Sequence, residues 1–402
     1  MIAAILIFAA TYFVIAVGRM PGYRIDRAGA ALLGASLIVA VGVLDLREAY
    51  AAIDGDTIAL LLGMMIVVAN LRLSGFFRLV TNWVVVRAHH PLVLLAGIVT
   101  VVGVLSAFLV NDAICLVTTP LVLDLVTRLK RNPVPYLLAV AMASNAGSVA
   151  TITGNPQNMI IGSLSHVPYA TFAGALAPVA FLGLALTFAL IAVVYRSEFS
   201  GRLTTVVDGP VHYHQALVIK TVAILVVMVV LFFAGQPVAK IALLGGALLL
   251  FTRRIRPEKV YIEIDWPLLV MFGGLFVVVA GLDKAVLDPQ TIAAVGRIRL
   301  DSVPVLAAVT ALLSNIVSNV PAVLVLKPFV AGLADPQRAW LTVAMASTLA
   351  GNLTLVGSVA NLIVAERARS RGVTVGFWPY FKVGAPLTLL TLVLGTLWMA
   401  WI

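Results

Sequence analysis

Two short runs combine a glycine, buried-type amides and a helix-start signal in an otherwise apolar chain: Gly154-Asn155-Pro156-Gln157-Asn158, and Gly357-Ser358 with Asn361 three residues on. Asn155-Pro156 reads as N-cap followed by N1. Asparagine supplies an acceptor for the free first-turn N–H groups, and proline lacks the N–H that would go unpaired there. The start of such a half-helix carries partial positive charge and open donors, suited to an oxyanion or a polar solute. A well-capped kink would look the same at Asn155, but Gln157 and Asn158 add polarity that capping does not require. Gly357, Ser358 and Asn361 form the matching break, with Gly351, Asn352 and Thr354 just before it. Backbone carbonyls and hydroxyls gathered there suit a hard cation or a hydrogen-bonded solute; small-residue helix packing is the alternative.

A second pair of polar tips accompanies these breaks: Val110-Asn111-Asp112 and Ser318-Asn319-Val320. Asp112 is a carboxylate inside a hydrophobic segment, where a charge costs about 2.5–3.5 kcal/mol or more. It could carry a proton or ligate sodium, or serve as a hairpin N-cap. Ser144-Asn145 and Ser347-Thr348 are matched polar pairs on the helices leading into the breaks, and Thr151 lies between Asn145 and Gly154. Cys115, the single cysteine, reads as a packing residue. His89, His90, His166, His212 and His214 fall in loops, and Lys327 reads as snorkelling outward.

The elements that must position these residues are membrane helices. Of 402 residues, 62% are apolar and 11% charged, with mean hydropathy +1.09. Soluble domains run at about 45–50% apolar and about 25% charged, so an ordinary soluble enzyme, a disordered chain and a nucleic-acid-binding domain are excluded. No cysteine cluster, HExxH or Walker-type loop is present, and no enzymatic activity is expected. Apolar runs at 2–17, 28–44, 57–71, 170–195, 217–234, 237–252, 266–282 and 383–402 read as spans, the first as a retained span rather than a signal peptide. The regions 92–166 and 303–366 are apolar but repeatedly broken, which is tolerated at membrane depth only where protein or a water-filled site satisfies the backbone.

Loop charge sets orientation. Twenty of the 27 Lys/Arg fall in or beside loops 18–27, 72–91, 128–134, 196–216, 253–265 and 367–382, which the positive-inside rule makes cytoplasmic, with both termini outside. That count requires 92–127 to enter from the cytoplasm and turn back, and 303–334 to do so from outside. The chain also matches itself. Ile53-Asp54, Gly63 and Val67-Val68-Ala69 recur 211 residues later; Leu105-Ser106, Asn111 and Pro120 recur 208 later; Ala141-Met142-Ala143-Ser144, Thr151, Gly154 and Asn158 recur 203 later. The reading is an all-α polytopic membrane protein, an inverted-topology repeat of about ten spans with two re-entrant hairpins and two broken helices. Its first half is 1–205 (hairpin 92–127, broken helix 135–166), and its inverted second half is 206–402 (hairpin 303–334, broken helix 339–366). Paired broken helices in inverted repeats are a transporter design, with substrate and coupling ions near the midplane.

At these residues the sequence resembles the ion transporter superfamily, in its arsenite-efflux and NhaD-type permease branch with a citrate transporter-like domain, related to divalent anion/sodium symporters. The residues carrying the resemblance are Gly63-Met64-Met65-Ile66-Val67-Val68, Ser74-Gly75-Phe76-Phe77, Val110-Asn111-Asp112-Ala113, Thr119-Pro120, Ala150 to Asn158, and Ser318-Asn319-Val320-Pro321. The resemblance implies scaffold helices and a moving transport domain, a homodimer, an elevator mechanism and location in the plasma membrane (the cell inner membrane). It implies substrate contacts from Asn111, Gly154, Asn155, Gln157, Asn158, Asn319, Gly357, Ser358 and Asn361. Coupling-ion contacts would come from Asp112, Ser144, Asn145, Thr151, Ser318, Asn352 and Thr354. Related sodium symporters carry Ser-Asn-Thr at both tips; neither tip does here. The expected activity is secondary transport of a small inorganic anion or neutral oxyacid, arsenite- or antimonite-like, coupled to protons or sodium, at an amide-rich site without arginine. A sodium/proton antiporter, a sodium-coupled citrate or dicarboxylate transporter, and an anion channel are the alternatives. No cofactor is expected beyond a bound sodium. The expected partners are the lipid bilayer and, for an arsenite pump, a soluble ATPase; nucleic acid is not among them.

Overall fold

A computed structural model describes residues 1–18, 23–201, 203, 213–286 and 299–402. Arg19, Arg202, His212, Arg297 and the boundary at 205/206 lie outside the described residues. Among the described residues the chain is helical throughout. The helices run α1 Ile2–Val17, α2 Arg27–Ala40, α3 Leu46–Ala52, α4 Gly55–Ser74, α5 Phe76–Arg87, α6 Pro91–Phe108, α7 Asn111–Arg128, α8 Pro133–Ser148, α9 Pro156–Ser165 and α10 Tyr169–Val194. They continue as α11 Gln215–Phe233, α12 Val238–Leu250, α13 Pro257–Ile262, α14 Trp266–Val286, α15 Val303–Val317, α16 Asn319–Val330, α17 Pro336–Ala350, α18 Val359–Arg369 and α19 Phe377–Trp401. Six of them are long and apolar enough to cross a membrane: α4, α6, α10, α11, α14 (over Trp266–Ala285) and α19. Five shorter apolar helices, α1, α2, α12, α15 and α16, accompany them.

Packing pairs elements that the sequence offsets match. α4 packs on α12, and its counterpart α14 packs on α2. A Cβ on Gly63 would overlap the backbone of Ala242, and one on Gly274 would lie 2.6 Å from the Ala31 carbonyl oxygen, so both crossings depend on a missing side chain. Aspartates cap both helices. Asp54 Oδ1 accepts from Thr57 N at 2.6 Å, and Asp265 Oδ1 accepts from Leu268 N at 3.1 Å. The short helices α3 and α13 pack against α14 and α4 respectively. Lys284–Glu48 at 2.6 Å and Arg72–Glu263 clip them in place.

The polar breaks sit in a second group of helices. α6 packs on α8 and α15 on α17, while α7 packs on α18 and α16 on α9. Each half's tip helix thus lies against the other half's half-helix. α8 and α17 are covered by α10 and α19, and every residue from Tyr136 to Ile161 is buried. A helix face with no exposed side is what nearly continuous Ala, Gly, Ser and Val permits, because small residues let backbones approach closely.

Candidate functional site

The tips and breaks occupy the expected residues with two differences. The α6–α7 break falls at Leu109-Val110, and Val110, not Asp112, is the N-cap of α7. Asp112 therefore does not cap the helix; it lies in the first turn, where the helix dipole favours a negative charge. The second tip breaks at Ser318 alone, with φ +78° and ψ 160°, a region that only glycine occupies readily. In the first break, a 3-10 turn over Ile152–Gly154 links α8 to α9. Asn155 is the N-cap of α9, accepting from Asn158 N at 2.8 Å, with Pro156 at N1, as the spacing predicts. Ser358 caps α18, accepting from Ala360 N at 3.2 Å.

Each break is clamped by one asparagine. Asn158 Nδ2 donates to the carbonyls of Ser148 (3.1 Å) and Thr151 (2.9 Å). Asn361 Nδ2 donates to those of Gly351 (2.7 Å) and Thr354 (3.1 Å). All three residues of each clamp are 203 apart from their counterparts. The glycine of each Gly-x-x-x-Asn run lies where the chain crosses itself. A Cβ on Gly154 would overlap the Ser148 carbonyl oxygen, and one on Gly357 would sit 2.9 Å from that of Gly351.

The two breaks are tied to each other by crossed braces. Asn155 Nδ2 donates to Thr348 Oγ1 at 3.3 Å, and Ser358 Oγ donates to Asn145 Oδ1 at 3.1 Å. These two bonds are again one bond repeated at an offset of 203. Gln157 Nε2 adds a second donor to Thr348 Oγ1 at 3.1 Å. Asn145 is the hub. Its Nδ2 donates to Asn352 Oδ1 (2.9 Å) and Asn361 Oδ1 (3.1 Å), and its Oδ1 also accepts from Asn111 Nδ2 (3.1 Å).

The backbone fixes which way these amides face. Asn361 must turn its NH2 toward two carbonyls, so its oxygen faces Asn145; Asn145 must then present NH2 to Asn361 and oxygen to Asn111. Asn111 Oδ1 is consequently turned away and has no hydrogen-bond partner among the described residues, although Asn111 is only 3% exposed. Asn158 Oδ1, fixed by the same logic, also has none among them.

A small cavity of about 40 Å³ is lined by Asn111, Asp112, Gln157, Ser318, Asn319 and Ser358 together with scaffold residues Ile15, Arg27, Leu268, Met271 and Phe272. Arg27 corrects the expectation of an arginine-free site. It begins α2 rather than ending a loop, and it is half-buried on the cavity wall. Not every expected residue converges here. Thr151 Oγ1 donates to the Ala107 carbonyl, tying the break to α6. Ser144 Oγ donates to the Ala141 carbonyl at 2.9 Å and accepts from Cys115 Sγ at 3.0 Å, deep between helices. Asn352 is an internal bond partner, and Thr354 contributes its carbonyl. Sequence reading missed Ser148, Ser314 and Asn315. Ser314 Oγ donates to Asn319 Oδ1 at 2.5 Å; Asn315 Nδ2 donates to the Ala350 carbonyl at 3.1 Å. The recurrence of Leu105-Ser106 at Leu313-Ser314 was the available signal for Ser314.

A family profile described as citrate transporter matches residues 10–350. The chain belongs to the citrate transporter family. Within reach of this family member are an uncharacterized transporter of Mycobacterium tuberculosis, 32% identical over 99% of this chain and 98% of the relative, and a silicon efflux transporter of Oryza sativa, 28% identical over 94% and 93%. The fold matches the crystal structure of the YdaH transporter of Alcanivorax borkumensis with TM-score 0.63, at 17% identity over 100% of this chain and 96% of that one. The family resemblance read from the sequence is borne out. This citrate transporter family member is a multi-pass membrane transporter.

Proposed function

We propose that the chain is a secondary active transporter for a small oxyacid or oxyanion of the arsenite, antimonite or silicic acid kind, coupled to protons or sodium. The observation that carries this reading is the crossed pair of braces, Asn155–Thr348 and Asn145–Ser358, which gathers two half-helix N-termini and two hairpin tips at one cavity. First-turn N–H groups of α9 and α18 suit the oxygens of such a solute. The unpartnered Asn111 Oδ1 suits a hydroxyl hydrogen. Oxyacids of trivalent arsenic and of silicon are mostly protonated and uncharged near neutral pH, so they need amides and hydroxyls more than a full counter-charge. The name of the rice relative favours the same chemistry.

A cavity of about 40 Å³ is room for a few water molecules at most, since one water needs roughly 10–15 Å³ of such space. Loading it requires its walls to part. In this reading the tips and half-helices move against the α2–α14 and α4–α12 crossings, as an elevator with the halves inverted in topology and the hairpins re-entrant. The reading extends to a homodimer in the plasma membrane, with a soluble ATPase partner if the substrate is arsenite. Asp112 is the coupling group, carrying a proton or sodium, with Arg27 on the same wall. A sodium/proton antiporter is the second reading, favoured by that same Asp112.

The test is uptake of arsenite into proteoliposomes against its gradient, with a pH or sodium gradient imposed. Asp112→Asn keeps shape but cannot ionise, so exchange of arsenite across the membrane should survive while uphill accumulation is lost. Unchanged uphill accumulation would remove Asp112 from coupling. No arsenite, antimonite or silicic acid flux in the wild type, with sodium-driven citrate uptake instead, would overturn the substrate assignment.

A further inference from the structure

Three cavities lie in series through this molecule. A wide crevice of about 820 Å³ is lined by Arg72, Arg78, Asp124 and Arg371 among others, all near chain segments whose Lys/Arg bias marks the cytoplasmic side. A narrow one of about 70 Å³ shares Arg72, Leu116 and Val117 with it and reaches Asp112. The innermost cavity, at the tips, shares Asp112 and Leu268 with the narrow one. Asp112 therefore lines both the inner cavity and a passage leading out of it.

The polar lining of that passage is unusual. Between apolar walls of Met65, Val68, Ala69 and Leu268, it presents the carboxylates of Glu263, Asp265 and Asp112. Its one cation among the described residues, Arg72, is already bonded to Glu263, and Arg27 stands beyond Asp112 on the inner cavity. Asp265 has a plain structural role as the cap of α14. Its counterpart shows what that role needs. Asp54, 211 residues earlier, caps α4 in the same way, and both of its oxygens also accept from Ser163 Oγ, at 2.8 and 3.0 Å. Asp265 has no such second donor among the described residues, and it is exposed. On the inner cavity, past Asp112, the buried Asn111 Oδ1 is a further acceptor with no donor among the described residues. The passage thus carries two carboxylates, Asp265 and Asp112, that no cation engages among the described residues, and the inner cavity beyond Asp112 adds the Asn111 oxygen, a row that suits a hard monovalent cation or a proton and disfavours an anion.

We propose that Asp265, with Glu263 behind it, is the station through which a cation, proton or sodium, passes between the basic crevice and Asp112. The substrate is not assigned to this passage. In the proton case, a hydronium ion in the crevice gives its proton to the Asp265 carboxylate and leaves as water, and the proton moves on to the Asp112 carboxylate, leaving Asp265 ionised. In the sodium case, the ion exchanges water for the same oxygens. Arg72, held by Glu263 at the mouth, keeps the carboxylate row from gaining a further net negative charge. This proposal rests on the coupling role given to Asp112, and its test is separable from that role.

The test uses thiol labelling of the full chain in oriented membrane vesicles, in a Cys115→Ser background. Leu116→Cys reports where crevice meets passage, and Leu268→Cys where passage meets inner cavity. Both should react with membrane-impermeant methanethiosulfonates from the basic-loop side. The ratio of the cationic to the anionic reagent should be higher at Leu268→Cys than at Leu116→Cys. Asp265→Asn retains the capping oxygen and should lower the ratio at Leu268→Cys, leaving Leu116→Cys unchanged; Glu263→Gln should lower it less. Reaction only from the opposite side, an equal or anion-favouring ratio at Leu268→Cys, or no change on Asp265→Asn would each overturn the proposal. Should Asp265→Asn not fold, the two ratios in the parent protein still decide it, and sodium and pH jumps that slow Leu268→Cys labelling separate the two cations. If the labelling behaves as expected while Asp112→Asn still accumulates arsenite uphill, the passage stands and the coupling role of Asp112 falls.

Discussion

The two breaks share a backbone device and differ in what is left over. Both use Gly-x-x-x-Asn to cross the chain over itself and clamp two carbonyls with one amide. The difference begins at the bracing residue. Asn145 has an amide with both donors and an acceptor, so it satisfies Asn361 and Asn352 and still accepts from Asn111 and Ser358. Thr348, at the matching position, has one hydroxyl, which accepts from Asn155 and Gln157. Among the described residues Asn158 Oδ1 is left without a donor where Asn361 Oδ1 has one. The tips differ as well: Val110 is in ordinary extended backbone, φ −60° and ψ 117°, whereas Ser318 is held at φ +78°. The frame recurs at an offset of 203 residues, and the differences at 145/348 and 110/318 make one break a closed hub and leave acceptors free in the other.

The largest expected effect tests the shared device. Gly154→Ala places a Cβ into the Ser148 carbonyl, which is itself held by Asn155 and Asn158 and cannot withdraw without breaking both. Gly357→Ala meets Gly351 O at 2.9 Å, a backbone atom that Asn361 also holds, but the overlap is much smaller than at Gly154. Gly154→Ala should give no folded, monodisperse protein in detergent, or cost about 3 kcal/mol or more, at the high end for overpacking. Gly357→Ala should fold with a smaller loss. Equal losses would mean that the two crossings are equally tight.

Much of this frame is readable from spacing, because Gly-x-x-x-Asn, the cap Asn155-Pro156 and the 211, 208 and 203 offsets are local or periodic signals. The braces are not, because they join residues 193 and 213 positions apart. Nothing in Asn145 or Thr348 alone says which distant amide each will meet. Arg27 illustrates a different failure. Counted with the loop charges it looks solvated, yet it opens α2 under the tips, and only the packing of α2 on α14 brings it to the cavity. The alternative reading of Asp112, as a hairpin N-cap, fails for a local reason: both Val110 and Asp112 can begin a helix, and propensity favours the aspartate, while the backbone turn at Leu109-Val110 makes Val110 the cap.

A middle-sized effect tests the divergence at the braces. Asn145→Thr should leave Asn361 Oδ1 and Asn352 Oδ1 without a donor, each loss costing roughly 1–3 kcal/mol when buried. Thr348→Val removes one acceptor of two amides, and Asn155 Nδ2 keeps Ser148 O at 3.2 Å and Ser148 Oγ at 3.0 Å. The thermal midpoint in detergent should therefore fall further for Asn145→Thr than for Thr348→Val. The reverse order would mean that Thr348 is the hub.

The smallest effect concerns the tips, and here the two halves should move in opposite directions. Ser318 occupies a backbone region that costs a non-glycine residue on the order of 1–3 kcal/mol. Glycine removes that strain at the cost of a more flexible unfolded chain, about 0.4–1 kcal/mol. The hydroxyl of Ser318 makes no hydrogen bond to offset the strain among the described residues. Ser318→Gly should thus raise stability by about 1 kcal/mol. Val110→Gly gains nothing from a relaxed φ, loses a side chain that is 2% exposed, and should lower stability by about 2 kcal/mol. Strain held at one tip also resists settling into a single closed state, so the stabilised Ser318→Gly protein should turn over more slowly wherever tip opening limits the rate. Thermal unfolding of the two variants side by side decides the point: a fall in both midpoints would mean that the left-handed backbone at Ser318 is paid back by contacts that glycine loses, and that the tips differ in shape without differing in stored strain.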